Sequence, residues 1–122
     1  MKHTIVHFEI PADDVGRAKT FYTGLFDWHF ANPPGYDDYW TVDMGEEEAS
    51  HGIAMMQRGA PDHGLTNYIG VKSVAEYTAK VEQLGGKVIL PKSPVPGMGW
   101  FAHCQDTEGN VFALWENDTS AA

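Results

Sequence analysis

Twice within 122 residues the chain runs through the same order of patterns: an alternating strand, an amphipathic helix, then three short strand-forming segments. A repeat of this kind constrains the fold more than any single motif, because each copy must bury one side of a small sheet under its own helix. In the first copy, His3-Thr4-Ile5-Val6-His7-Phe8-Glu9-Ile10 alternates. Val6, Phe8 and Ile10 fall on one face; His3, Ile5, His7 and Glu9 fall on the other. Pro11 is expected to end the pairing, since it has no N–H for a ladder. Asp13-Asp14 then offers an N-cap, and Val15, Ala18, Phe21, Tyr22, Leu25 and Phe26 recur at helical spacing. Trp28 to Phe30, Tyr39 to Met44 and Gly52 to Met56 read as strands.

The pattern restarts after residues 58–64, which read as a linker between module one (3–57) and module two (65–116). Thr66 to Val71 is a strand, and Ser73 caps a helix carrying Val74, Tyr77, Val81 and Leu84 on one face. Gly85-Gly86 stops that helix. Lys87 to Leu90 reads as a short strand, Pro91 to Gly99 as a loop, and Trp100 to Cys104 as the next strand; within the loop, Pro94 to Gly99 reads as a rigid connection between strands, with a lid or rim as the alternative. Asp106-Thr107-Glu108-Gly109-Asn110 has hairpin-turn chemistry, Val111 to Trp115 is the last strand, and Asn117 to Ala122 reads as a frayed tail. The expected fold is α+β: two βαβββ modules forming a curved mixed sheet around a cleft, with helices outside.

Composition narrows the function classes. Eight Lys and Arg against 17 Asp and Glu give a net charge of −9, and the pI is near 4.9. That balance argues against nucleic acid, which needs clustered cations, and against anionic membrane surfaces. The single cysteine, Cys104, rules out an intrachain disulfide and a Cys-rich zinc site, and reads as a small core residue. Neither a signal-peptide core nor a membrane-length apolar run is visible, so a cytoplasmic protein is expected.

Several motifs resemble one family. His7-Phe8-Glu9-Ile10-Pro11-Ala12-Asp13-Asp14, followed by Arg17-Ala18 and Phe21-Tyr22, is similar to the opening of the vicinal oxygen chelate superfamily, which contains glyoxalase, bleomycin-resistance proteins and extradiol dioxygenases. Leu25-Phe26-Asp27-Trp28, Leu84-Gly85-Gly86-Lys87-Val88 and Asp106 to Phe112 match its later motifs in order. The resemblance implies one glyoxalase-like domain over residues 1–122 and a homodimer. It also implies a divalent metal held by one residue from the first and one from the last strand of each module. Here His7 keeps the first ligand place. The second falls at Ala54 or Met55, the third at Thr66 or Asn67, and the fourth at Ala113. Alanine cannot bind a metal and a thioether prefers soft ones, so no metal site and no cofactor are expected.

Candidate ligand-binding residues are His7, Glu9, Trp40, Met55, Asn67, Trp100 and Trp115. His7 reads either as a polar anchor or acid/base group, or as a hydrogen-bonded histidine of the sheet. Glu9 reads as its proton-shuttling neighbour or as a solvated carboxylate. The tryptophans and Met55, with Tyr39 and Tyr68, read as an aromatic pocket wall or as ordinary core. Asp43 and Glu116 are further carboxylates near the cleft. His29, His51, His63 and His103 read as surface or edge residues, and Glu46-Glu47-Glu48 as a solvated turn. The reading that follows is a small-molecule-binding protein without the usual metal. A metal-dependent lyase, isomerase or dioxygenase is the alternative, and an accessory domain with a vestigial cleft is a third. Whether a reaction is catalysed stays open.

Overall fold

The computed structural model describes residues 3–35, 39–44, 52–59 and 64–122. The expected Glu46 to Glu48 turn, His51, His63 and most of the linker lie outside them. Ten elements follow in order: β1 (Ile5–Ala12), α1 (Val15–Leu25), β2 (His29–Ala31), β3 (Tyr39–Asp43), β4 (Gly52–Gln57), β5 (Thr66–Gly70), α2 (Val74–Gln83), β6 (Lys87–Val95), β7 (Gly99–Gln105) and β8 (Val111–Asn117). This is an α+β fold of two βαβββ modules in mixed sheet, as the repeat predicts. Two compact units divide the chain, His7–Leu65 in one and Met1–Val6 with Thr66–Ala122 in the other.

In the first unit the strands lie in the order β2-β3-β4-β1. β1 and β4 run parallel, with His7 opposite Gly52, Glu9 opposite Ala54 and Ile10 opposite Met55. β3 runs antiparallel to β4 and sets Trp40 opposite Met55 and Thr41 opposite Ala54. Pro11 does not end β1; it lies opposite Met56, and Ala12 opposite Gln57. Asp14 caps α1, its Oδ1 accepting from the Arg17 N–H at 2.9 Å. α1 lies over the sheet face that carries Trp40, since Lys19 Nζ sits 3.4 Å from that ring's centroid. Phe21 and Leu25 of α1, with Phe26 just past its end, stay exposed. Next to them, Tyr22 stacks on Trp28 at 5.2 Å.

In the second unit the order is β5-β8-β7-β6. Val71, Val74, Ala102, Cys104 and Leu114 form the core beneath α2, with Tyr77, Val81, Val88, Trp100 and Phe112 packed against it. The hydroxyl of Ser73 caps α2, accepting from the Glu76 N–H at 3.1 Å. Glu116 Oε1 also serves that terminus, accepting from the Val74 N–H at 2.9 Å. So Glu116, expected to offer a carboxylate to a cleft, is spent on the helix start.

Two segments differ from the sequence expectation. Residues 91–95 belong to β6, which pairs with β7 as far as Val95 opposite Gly99, with register shifts between Val88 and Leu90 and between Leu90 and Ser93. β6 ends the order β5-β8-β7-β6, so its prolines need no outward ladder donor. The tail is also pinned. Asp118 N–H donates to Met98 O at 2.9 Å, Gly97 N–H to Ala121 O at 2.9 Å, and Ala121 is buried.

Candidate functional site

The alternation that sends Phe8 and Ile10 toward α1 sends His7 and Glu9 to the opposite face of β1. The register brings Gly52, Ala54 and Tyr39 to that same face. There the Tyr39 hydroxyl donates to Glu9 Oε2 at 3.0 Å and lies 2.9 Å from His7 Nε2. The direct His7 Nε2 to Glu9 Oε2 distance is 3.5 Å. A phenol has one proton to give. With Glu9 ionised and taking that proton, the phenol oxygen turns a lone pair toward His7 Nε2, where a proton on that nitrogen completes the chain. Glu9 is only 8% exposed, and a carboxylate buried that deeply needs such partners.

Glycine at 52 is what admits the imidazole. A Cβ there would come within 2.9 Å of His7 Nδ1. Together these groups form a polar cluster whose directions are set by three strands: β1 supplies the acid and the imidazole, β3 the bridging hydroxyl and β4 the clearance. Such a network can hold a ligand's oxygen or nitrogen and pass a proton along hydrogen bonds.

The other sequence candidates divide by parity. Trp40 and Met55 share the face with Ile10, beneath α1, and Met55 has no exposed surface. Asn67 is next to Tyr68 in β5 and so faces the other way; its Oδ1 is buried with no hydrogen-bond partner among the described residues. Trp100 packs against the core under α2, and its indole N–H donates to Asp118 Oδ2 at 2.9 Å. Trp115 lies on the face turned away from α2, with its N–H donating to Asn117 Oδ1 at 2.7 Å. Thus the structure brings His7 and Glu9 together, sets Trp115 in the second module, and sends Trp40, Met55, Asn67 and Trp100 to the helix sides.

Two features escaped the sequence. Tyr39 counted there only as apolar wall, yet its hydroxyl bridges the cluster. His103, expected at the surface or an edge, bonds through Nε2 to the Tyr68 hydroxyl at 3.2 Å. The signal for the second was present: Ala102 and Cys104 are small apolar residues of the core face, so Phe101 and His103, which alternate with them, must point the other way. Each module therefore carries a His–Tyr pair across its first and third strands, with the two residue types exchanged.

The family's metal can be tested against the donors present. The register settles Ala54 rather than Met55 as the residue beside Glu9, and it is completely buried. In the second module the last-strand place is Ala113, opposite Tyr68 and equally buried. Neither methyl can donate a lone pair. His7 Nε2, the one inherited donor, is engaged by Tyr39. Among the described residues no three His, Cys, Asp or Glu side chains group to hold an ion. These residues do not fit the family's usual metal.

Comparison with known proteins agrees with this fold. The profile of the "Glyoxalase/Bleomycin resistance protein/Dioxygenase superfamily" matches residues 4–114, so the chain belongs to that family. "Putative glyoxylase CFP32" of Mycobacterium tuberculosis is 32% identical over 114 residues, covering 88% of this chain and 43% of that protein. The chain thus spans less than half the length of that relative. A "Glyoxylase-like domain-containing protein" of Didymella fabae is 32% identical over 115 residues, covering 87% and 88% of the two chains. Among solved structures, a superfamily member from Vibrio splendidus superimposes with a TM-score of 0.67 at 10% identity, covering 96% of this chain and 100% of the other. At that identity the likeness speaks for the fold alone.

Proposed function

We propose that this chain is a small-molecule-binding protein of the glyoxalase/bleomycin-resistance type that works without the family's usual metal. Its polar anchor is the His7–Tyr39–Glu9 cluster. The observation that carries this reading is the bridging Tyr39 hydroxyl, 2.9 Å from His7 Nε2 and 3.0 Å from Glu9 Oε2. It occupies the inherited imidazole from within the protein, while alanine stands at the neighbouring ligand place. A ligand is then held by hydrogen bonds to a preorganised polar group beside apolar surface, which is how most small-molecule sites achieve orientation. The protein is read as cytoplasmic and as a homodimer; the exposed apolar side of α1 supports the second point.

The experiment is a thermal-shift screen of metabolites and aromatic compounds, run beside metal analysis of protein purified without chelators. A ligand that binds the folded chain raises its melting point by mass action, and His7→Ala abolishes the rise. Stoichiometric divalent metal, lost in His7→Ala, overturns the reading in favour of a metal-dependent lyase or isomerase. The glyoxylase names of the relatives support that second reading.

A further inference from the structure

We propose that the first module binds a small aromatic carboxylate on its helix side, with the Arg17 guanidinium receiving the negative charge. The last residues of β1, the first two turns of α1 and Arg58 just after β4 line an open cavity of about 410 Å³. That volume suits a small-molecule site. Ile10, in its wall, points to the face of β1 opposite His7 and Glu9. The cavity and the polar cluster are therefore on opposite sides of the same strand.

Arg17, Lys19 and Arg58 are the only Lys or Arg between residues 7 and 65, and two of the three line this cavity. Their settings differ. Arg58 is engaged: its Nε donates to Asp13 Oδ1 at 2.9 Å and its Nη2 to Pro11 O at 3.5 Å. Asp14, the other carboxylate here, accepts from the Arg17 backbone N–H and closes the helix start. Both acids thus have donors. The Arg17 guanidinium, by contrast, has no hydrogen bond or ion pair among the described residues. It is also a local misfit. Arg17 is the third residue of α1, where the helix dipole repels a cation. The same place in α2, behind its Ser73 cap, holds Glu76. An unpaired cation where helix stability favours an acid breaks a local rule with no structural return, as binding groups do.

Phe21 follows Arg17 by one turn on the same side of α1 and is 60% exposed. Its ring stands edge-on to Tyr22 at 83°, centroids 5.3 Å apart. Ile10, Pro11 and Ala18 extend the apolar wall, whereas Leu25 and Phe26 lie outside it. A carboxylate fits the guanidinium fork through two parallel N–H···O bonds, and a ring attached to it lies against Phe21. One unpaired guanidinium beside two engaged acids balances a single negative charge, which selects a carboxylate over a phosphate dianion.

The test uses the whole chain with 2-naphthoate as probe. Its controls are 2-naphthamide, which lacks the charge, and acetate, which lacks the ring. NMR reads the Arg17 Nε–H and the backbone amides of residues 17–22. The expected result is saturable movement with 2-naphthoate, weakened by salt, and binding at least tenfold weaker for either control. Arg17→Gln should weaken 2-naphthoate roughly tenfold or more while the melting point holds or rises, a split that a structural role would not produce. Phe21→Ala should weaken it severalfold. Silence of the Arg17 signals in the unaltered chain overturns the proposal, as does equal binding of 2-naphthamide. Unchanged affinity in Arg17→Gln overturns it too. Movement of the His7 imidazole signals in place of those of Arg17 also overturns it, and leaves the His7-centred reading standing.

Discussion

The Tyr39 hydroxyl is one oxygen atom, and the arrangement of the first module's cluster depends on it. Tyr39→Phe keeps the ring but withdraws the proton that Glu9 accepts, in a place where the carboxylate is nearly buried. We expect a loss of about 1–3 kcal/mol in urea-induced unfolding, the cost of an under-satisfied buried group. Gly52→Ala acts on the same cluster from β4. Its new methyl must displace the His7 ring, so the His7 imidazole signals should move and ligand response should fall even if the melting point changes little. At this scale the sequence was legible for His7 and Glu9, because strict alternation around them left no choice of face. It was misleading at Tyr39-Trp40, Asn67-Tyr68 and Trp100-Phe101. In each pair two neighbours are both plausible, and only the cross-strand register decides which one turns from the helix.

Among the elements, the hairpin between β7 and β8 has its own titrating clasp. Asp106 Oδ1 accepts from the Glu108 and Asn110 N–H groups at 2.8 and 2.9 Å. Backbone donation, from Asn110 most and then Glu108, holds the Asp106 carboxyl below its ordinary range. A folded-state value below the unfolded one means that its stabilisation is present above the usual carboxylate range and is lost as pH falls through the folded value. Urea unfolding measured from pH 6 down to pH 2 should therefore show a shallower acid loss in Asp106→Asn. Leu114→Ala in β8 removes a core side chain under α2 and should cost about 2–5 kcal/mol in the same assay. Both helices were readable from spacing and caps. The extension of β6 past Pro91 was not, because proline speaks against a strand only where the strand has partners on both sides. Nor was the pinned tail, whose partners Gly97 and Met98 are distant in pattern though near in space.

For the whole molecule, the order of elements was legible because it occurs twice, and a doubled pattern survives local misreadings of register. Self-association was not legible in that order. If the exposed Phe21, Leu25 and Phe26 face meets a second copy, Leu25→Lys should shift sedimentation equilibrium toward monomer without altering the circular dichroism spectrum. Persistence of a dimer in that variant would move the interface elsewhere. One buried side chain also turns the protein into its own chemical clock. Cys104 is the chain's single thiol; it has no exposed surface, and burial first, then the nearby Glu82 charge, pushes its pKa up. Iodoacetamide can reach it only when the layer beneath α2 comes apart. The alkylation rate in native buffer thus times the opening of that layer, with neither label nor engineered probe.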